Sequence, residues 1–108
     1  QKIEHRKAEI LREGKDVSII EIGKRVAEAI KIANKFKENG INADVINARF
    51  LKPLDEEPIK KLIEKTKNVI TIEDGTKING LGTAVEELIV ENNLQNIPWS
   101  HIVYNQDR

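Results

Sequence analysis

Apolar and polar positions along this chain switch repeatedly between two periods. Val17-Ser18-Ile19-Ile20-Glu21-Ile22 is β-branched and mostly apolar, which predicts a buried strand. Gly23 closes it. From Arg25 to Asn39, Val26, Ala29, Ile30, Ala33 and Phe36 recur at helical spacing, with Lys24, Glu28, Lys31, Lys35 and Lys37 at the other positions. Asn39-Gly40 predicts the stop, because glycine enters the left-handed region after a last helical turn without steric cost. Ala43 to Asn47 reads as a second strand. Asp55 is the candidate N-cap of a helix with Ile59, Leu62 and Ile63 on one face. Pro58 fits that helix only in its first turn, where its missing N–H is not needed. Asn68 to Glu73 predicts a third strand, Asp74 to Gly82 a loop, and Ala84, Val85, Leu88 and Ile89 a helix ending near Asn92-Asn93. Ile97 to Tyr104, led in by Pro98, is the last strand. Upstream, Lys7 to Leu11 reads as a short first strand before a charged turn, Arg12 to Asp16, built on Gly14.

The order is β-β-α-β-α-β-α-β. Strands alternating with helices predict right-handed crossovers and a mainly parallel sheet with helices on both faces. Only the first strand lacks a helical crossover to the next, so it is expected to run antiparallel. The expected fold is α/β: a three-layer α/β/α arrangement with a five-stranded mixed sheet, residues 1–108 forming a single domain.

Composition narrows the function classes. At 108 residues the chain has room for one ordinary core. Hydrophobic residues make up 39% and charged residues 33%, which is polar but outside the disordered range. Lys+Arg and Asp+Glu both total 18, so no charge excess argues for nucleic acid or a membrane surface. With no cysteine, disulfides, zinc–cysteine sites and thiol nucleophiles are ruled out, and a reducing cytoplasm fits. No apolar run approaches the length of a spanning helix. Gln1 to Arg6 holds neither a signal core nor a starting methionine, so the chain reads as a piece of a longer protein.

Few residues are arranged for chemistry. Asn79, Gly80, Gly82 and Thr83, in "NGLGT", lie between a strand and a helix, where backbone N–H groups can face an anion. No Lys-Ser/Thr pair closes the turn, and Val85 holds the third glycine position of a dinucleotide fingerprint. The competing reading is a tight turn with Thr83 capping the helix. His5 and His101 are far apart in sequence and lack metal-ligand spacing. Glu73 and Asp74 end a strand, but adjacent strand residues point to opposite faces. Trp99, Tyr104, Phe36 and Phe50 are too sparse for a base-stacking platform. Arg49, at a strand end, has two readings: a binder of phosphate or carboxylate, or a structural arginine at an interface.

"NARFLKPLDEEPI", Asn47 to Ile59, closely resembles a stretch of the C-terminal domain of the 1-deoxy-D-xylulose-5-phosphate synthases, in the transketolase superfamily. "AEILREGKDVSIIEIG", Ala8 to Gly23, is similar to that domain's opening hairpin. "VAEAIKIANKFKENGINADVINA", Val26 to Ala48, is similar to its first helix and next strand, and "VITIEDGTKINGLGTAVEELI", Val69 to Ile89, to the strand, glycine loop and helix that follow. The chain departs from the pattern at Asp74, often a second Glu, at Asn79, often Gly, and along "IPWSHIVYNQDR" until Asp107-Arg108. A final helix is expected beyond that pair.

The resemblance implies an enzyme that joins pyruvate and D-glyceraldehyde 3-phosphate, with loss of CO2, for isoprenoid, thiamine and pyridoxal synthesis. It implies thiamine diphosphate and Mg2+ held by upstream domains, a cytoplasmic homodimer, and a C-terminal domain that supports fold and dimer. The Gly-Asp-Gly and Asn metal pattern does not occur here. No catalytic, cofactor-binding or metal residue is therefore carried over, and Arg49 and Phe50 are expected to face a neighbouring domain. The alternatives are the C-terminal domain of a transketolase or of a 2-oxoacid dehydrogenase beta subunit, and a stand-alone anion-binding regulatory or interaction module.

Overall fold

Side-chain alternation along each strand decides which helix it meets. In the computed structural model, residues 9–48, 56–74 and 80–104 are described. They form β1 (Glu9–Arg12), β2 (Val17–Glu21), α1 (Val26–Glu38), β3 (Ala43–Asn47), α2 (Glu56–Thr66), β4 (Val69–Asp74), α3 (Leu81–Glu91) and β5 (Trp99–Tyr104). Val17 and Ile19 of β2, Val45 of β3 and Ile72 of β4 pack with Ala29 and Ala33 of α1. Ile20, Ile46 and Val69 point the other way, to Ile59 and Ile63 of α2 and Val85, Leu88 and Ile89 of α3. The result is three layers, with α1 on one face of the sheet and α2 and α3 on the other. The apolar stripe of each helix supplies the burial that holds the layers together.

The sheet has five strands in the order β1-β3-β2-β4-β5. Pairings β2–β3, β2–β4 and β4–β5 are parallel, and β1–β3 is antiparallel. The mixed sheet and its antiparallel first strand match expectation, but the opening hairpin does not form. β1 pairs with β3 (Glu9 opposite Asn47, Ile10 opposite Ile46), with a bulge between Ile10 and Arg12, and not with its neighbour β2.

The Gly14 turn therefore passes across the start of β3 instead of closing a two-stranded ribbon. A Cβ on Gly14 would lie 2.5 Å from the Asn42 carbonyl carbon, so the passage is open only to glycine. Three hydrogen bonds fasten it. The Gly14 N–H donates to Asp44 Oδ1 at 2.8 Å, the Asn42 N–H to Asp16 Oδ2 at 2.8 Å, and the Asp16 N–H to the Asn42 carbonyl at 2.9 Å.

Asp44 is fully buried beneath α2 and anchors a polar knot. Lys65 Nζ lies 3.3 Å from its Oδ1, and Ser18 Oγ lies 3.4 Å from its Oδ2 and 2.8 Å from Thr66 Oγ1. Buried polar groups persist when their hydrogen bonds are met in this way. At the same end of the sheet α1 stops as its sequence predicts. Gly40 takes φ +79°, and the Ile41 N–H returns to the Phe36 carbonyl at 2.9 Å.

Candidate functional site

The "NGLGT" turn leads to the N-terminus of α3, and Glu73 already occupies it. Gly80 is the N-cap, in the left-handed conformation (φ 74°, ψ 21°), and the helix starts at Leu81. The Leu81 N–H donates to Glu73 Oε1 at 2.9 Å. Glu73 is buried at the end of β4 and, by alternation from Val69 and Thr71, points to the α3 side. The positive end of the α3 dipole is thus met by a carboxylate of the chain itself. Thr83 is exposed inside the first turn and is not the cap, because Gly80 begins the helix earlier.

β5 brings the partners of Glu73. Thr71 lies opposite His101 in the β4–β5 register. His101 Nδ1 is hydrogen-bonded to Thr71 Oγ1, and its Nε2 lies 3.7 Å from Glu73 Oε1. Trp99 Nε1 donates to the same Thr71 oxygen at 3.0 Å, and the indole and imidazole stand tilted with centroids 6.3 Å apart. Thr71 Oγ1 also lies 3.5 Å from the Ser100 carbonyl, so its one hydrogen and two lone pairs are shared among the indole, the imidazole and that carbonyl.

Gly82 makes the arrangement sterically open. A Cβ there would meet the His101 ring at 3.0 to 3.2 Å. A cavity of about 300 Å³ opens between these groups, lined by Glu73, Gly82, Thr83, Glu86, Trp99 and His101. Its wall carries the carboxylates of Glu73 and Glu86 and neither Lys nor Arg among the described residues. An external anion meets like charge here, at a helix terminus whose first amide is already taken. The side chains of the network are spent largely on one another, which is the mark of a structural joint between β4, β5 and α3.

Of the candidate residues, Gly80, Gly82 and Thr83 come together around this cavity. Asn79, Arg49 and Phe50 lie outside the described residues, as do His5 and Asp55. Glu73 and Asp74 diverge as alternation requires: Asp74 turns to the α1 side, where its Oδ1 lies 3.6 Å from Arg25 Nη2. Sequence reasoning missed Thr71, Trp99 and Glu86 as lining or partner residues. The available signal was spacing by two, Thr71 with Glu73 and Trp99 with His101, on strands that become neighbours only in the folded sheet. Among the described residues no group of His, Cys, Asp and Glu could hold a metal ion, and no helix is long and apolar enough to cross a membrane.

Comparison with known proteins agrees with this architecture. The sequence profile of the family described as "Transketolase, C-terminal domain" matches residues 6–103. The 1-deoxy-D-xylulose-5-phosphate synthase of Desulforudis audaxviator is 45% identical over 91 residues, covering 84% of this chain and 14% of the relative. That of Synechocystis is 47% identical over 88 residues, covering 82% and 14%. The chain thus spans about one seventh of the length of these relatives. Among solved structures, "Split gene transketolase, inactive beta4 tetramer" superposes with a TM-score of 0.81 at 33% identity, covering 98% of this chain and 35% of that one. A 2-oxoglutarate:ferredoxin oxidoreductase from Magnetococcus marinus shares the fold, with a TM-score of 0.61 at 15% identity, over 92% of this chain and 17% of its own. With a matching profile across nearly all of its strands and helices, this chain belongs to the transketolase C-terminal domain family.

Proposed function

We propose that residues 1–108 are the C-terminal domain of a 1-deoxy-D-xylulose-5-phosphate synthase, the enzyme that joins pyruvate to D-glyceraldehyde 3-phosphate with release of CO2. The observation that carries this reading is the 45% to 47% identity with relatives of that name over more than four fifths of the chain. Upstream domains supply the thiamine diphosphate and Mg2+ sites, and this domain supports the fold and a cytoplasmic homodimer. Arg49 and Phe50 face a neighbouring domain in that assembly.

The described residues do not fit the cofactor or its metal. No metal-binding group of side chains is present among them, and the polar cavity beside α3 is acidic where a diphosphate would need donors or cations. On this reading the chemistry lies in the upstream domains, and the domain alone is catalytically silent. The reading as a free-standing anion-binding module draws little support, because Glu73 fills the first amide of α3.

Two measurements test the proposal. Titrating thiamine diphosphate with Mg2+ into the 108-residue chain in a calorimeter is expected to give no binding heat, and saturable binding would reject the silent-domain reading. The full-length protein, given pyruvate and D-glyceraldehyde 3-phosphate, is expected to release one CO2 per product. Two-carbon transfer between sugar phosphates without CO2 would point instead to a transketolase.

A further inference from the structure

Glu21, Asp74 and Tyr104 end β2, β4 and β5 on the side that α1 covers, and Arg25 at the start of α1 connects them. Glu21 is fully buried. Its Oε1 accepts the Arg25 N–H at 3.3 Å, and its Oε2 has no hydrogen-bond partner. The Arg25 guanidinium reaches Glu28 Oε2 at 3.2 Å through Nη1 and Asp74 Oδ1 at 3.6 Å through Nη2. It also stands 5.3 Å over the Tyr104 ring. Its Nε is buried and has no partner.

One cluster thus leaves a carboxyl oxygen and a guanidinium N–H idle, on two residues already joined by a backbone hydrogen bond. Buried polar groups left unmatched are rare and ask for an explanation. The surroundings supply one. Desolvation by burial pushes the Glu21 carboxyl up to about 7, opposed by the Arg25 N–H and reinforced by the nearby charge of Glu28. Near that pH Glu21 exchanges between a neutral acid, for which Arg25 has little attraction, and a carboxylate that needs a cation.

The other groups facing it limit the outcomes. From α1 come Arg25 and Glu28, from β4 Asp74 and from β5 Tyr104. β3 places the uncharged Asn47 opposite Glu21, and Lys24 in the connecting turn is exposed. Among the described residues Arg25 is the cation in contact, shared between acids of unequal exposure. The Asp74 contact is long and its side chain 19% exposed, whereas Glu21 is cut off from water. A guanidinium–carboxylate contact is stronger where water is excluded.

We propose that Glu21 and Arg25 form a proton-controlled latch at the carboxyl ends of β2 and β4. With Glu21 protonated, Arg25 ties the start of α1 to Asp74 at the end of β4. When Glu21 releases its proton to solvent, its carboxylate takes the guanidinium through the idle Nε–H, and the tie to Asp74 loosens. α1 and α3, the helices that follow these two strands, lie on opposite faces of the sheet. The latch therefore spans the switch point at which open α/β sheets expose their strand ends.

Nuclear magnetic resonance of the 108-residue chain between pH 5 and 9 tests it. The Glu21 carboxyl carbon, the Arg25 Nε–Hε pair and the Asp74 carboxyl carbon are expected to shift together, with one shared midpoint near 7. Glu21→Gln should abolish the shifts at Arg25 and Asp74. Arg25→Lys, which lacks Nε, should abolish the Asp74 response while Glu21 still titrates. A Glu21 midpoint below 5, or an Arg25 Hε that stays fixed while Glu21 ionises in the parent chain, would overturn the latch. The parent titration decides the matter even if a variant fails to fold.

Discussion

Replacing Gly14 with alanine tests the strap between the first turn and β3. The added Cβ would lie 2.5 Å from the Asn42 carbonyl carbon and 2.6 Å from its oxygen and from the Ala43 nitrogen. All three are backbone atoms, so no side chain can swing aside. The turn must lift, and that breaks the Gly14–Asp44, Asn42–Asp16 and Asp16–Asn42 hydrogen bonds. At roughly 1 kcal/mol each, the loss is about 3 kcal/mol. For a domain of this size 1 kcal/mol moves the melting temperature by about 4 °C, so a fall of about 12 °C is expected in a thermal melt followed by circular dichroism. Gly40→Ala is the control. Gly40 also has an unusual backbone, φ +79°, but no atom within 4 Å of its would-be Cβ. Its cost is the left-handed conformation alone, about 1 kcal/mol, and Gly40→Asn should recover part of it. The reasoning fails if Gly14→Ala melts within about 4 °C of the parent, or more mildly than Gly40→Ala.

Two further outcomes follow from buried charge. Asp44→Ala strands the Gly14 N–H and leaves Lys65 unpaired, and is expected to cost about 2 to 4 kcal/mol in urea denaturation. Lys65→Met should cost less than Asp44→Ala, because the Lys65 side chain is 43% exposed and Asp44 keeps the Gly14 N–H and the Ser18 hydroxyl. For Glu21, raised from 4.5 to about 7, the folded chain holds a proton that the unfolded chain has already released between those values. Stability therefore falls as pH rises through that window and levels off above it. The full shift corresponds to at most about 3 kcal/mol, measurable as the denaturation difference between pH 5 and pH 8. Glu21→Gln should flatten that profile.

Local pattern carried most of the architecture. Ala43 to Asn47 is a strand with the bounds its sequence suggests, and α1 ends at the glycine that its left-handed backbone requires. Long-range pairing was less legible. Gly14 looked like a hairpin glycine because turn chemistry says nothing about which strand passes nearby, and only the contact with Asn42 explains it. Thr83 looked like a cap because Glu73, eight residues before Leu81, leaves no local sign that it will reach the helix start. The Glu21–Arg25 link spans a strand end and a helix start, so neither period predicts it. Gly80 and Gly82, which line the cavity beside α3, could be singled out by their missing side chains, which are visible in any sequence.

The pairing of β1 with β3 also bears on how the chain assembles. A hairpin would have let Glu9–Arg12 zip onto β2 early, across a few residues. Its actual partner becomes available only after β2, α1 and β3 have come together, so docking it requires closing a long loop. Once docked, it covers an edge of β3 that would otherwise be open to another chain's backbone. The first described strand is thus expected to dock late, and the edge it leaves to other chains is only four residues long and interrupted by the register shift between Ile10 and Arg12.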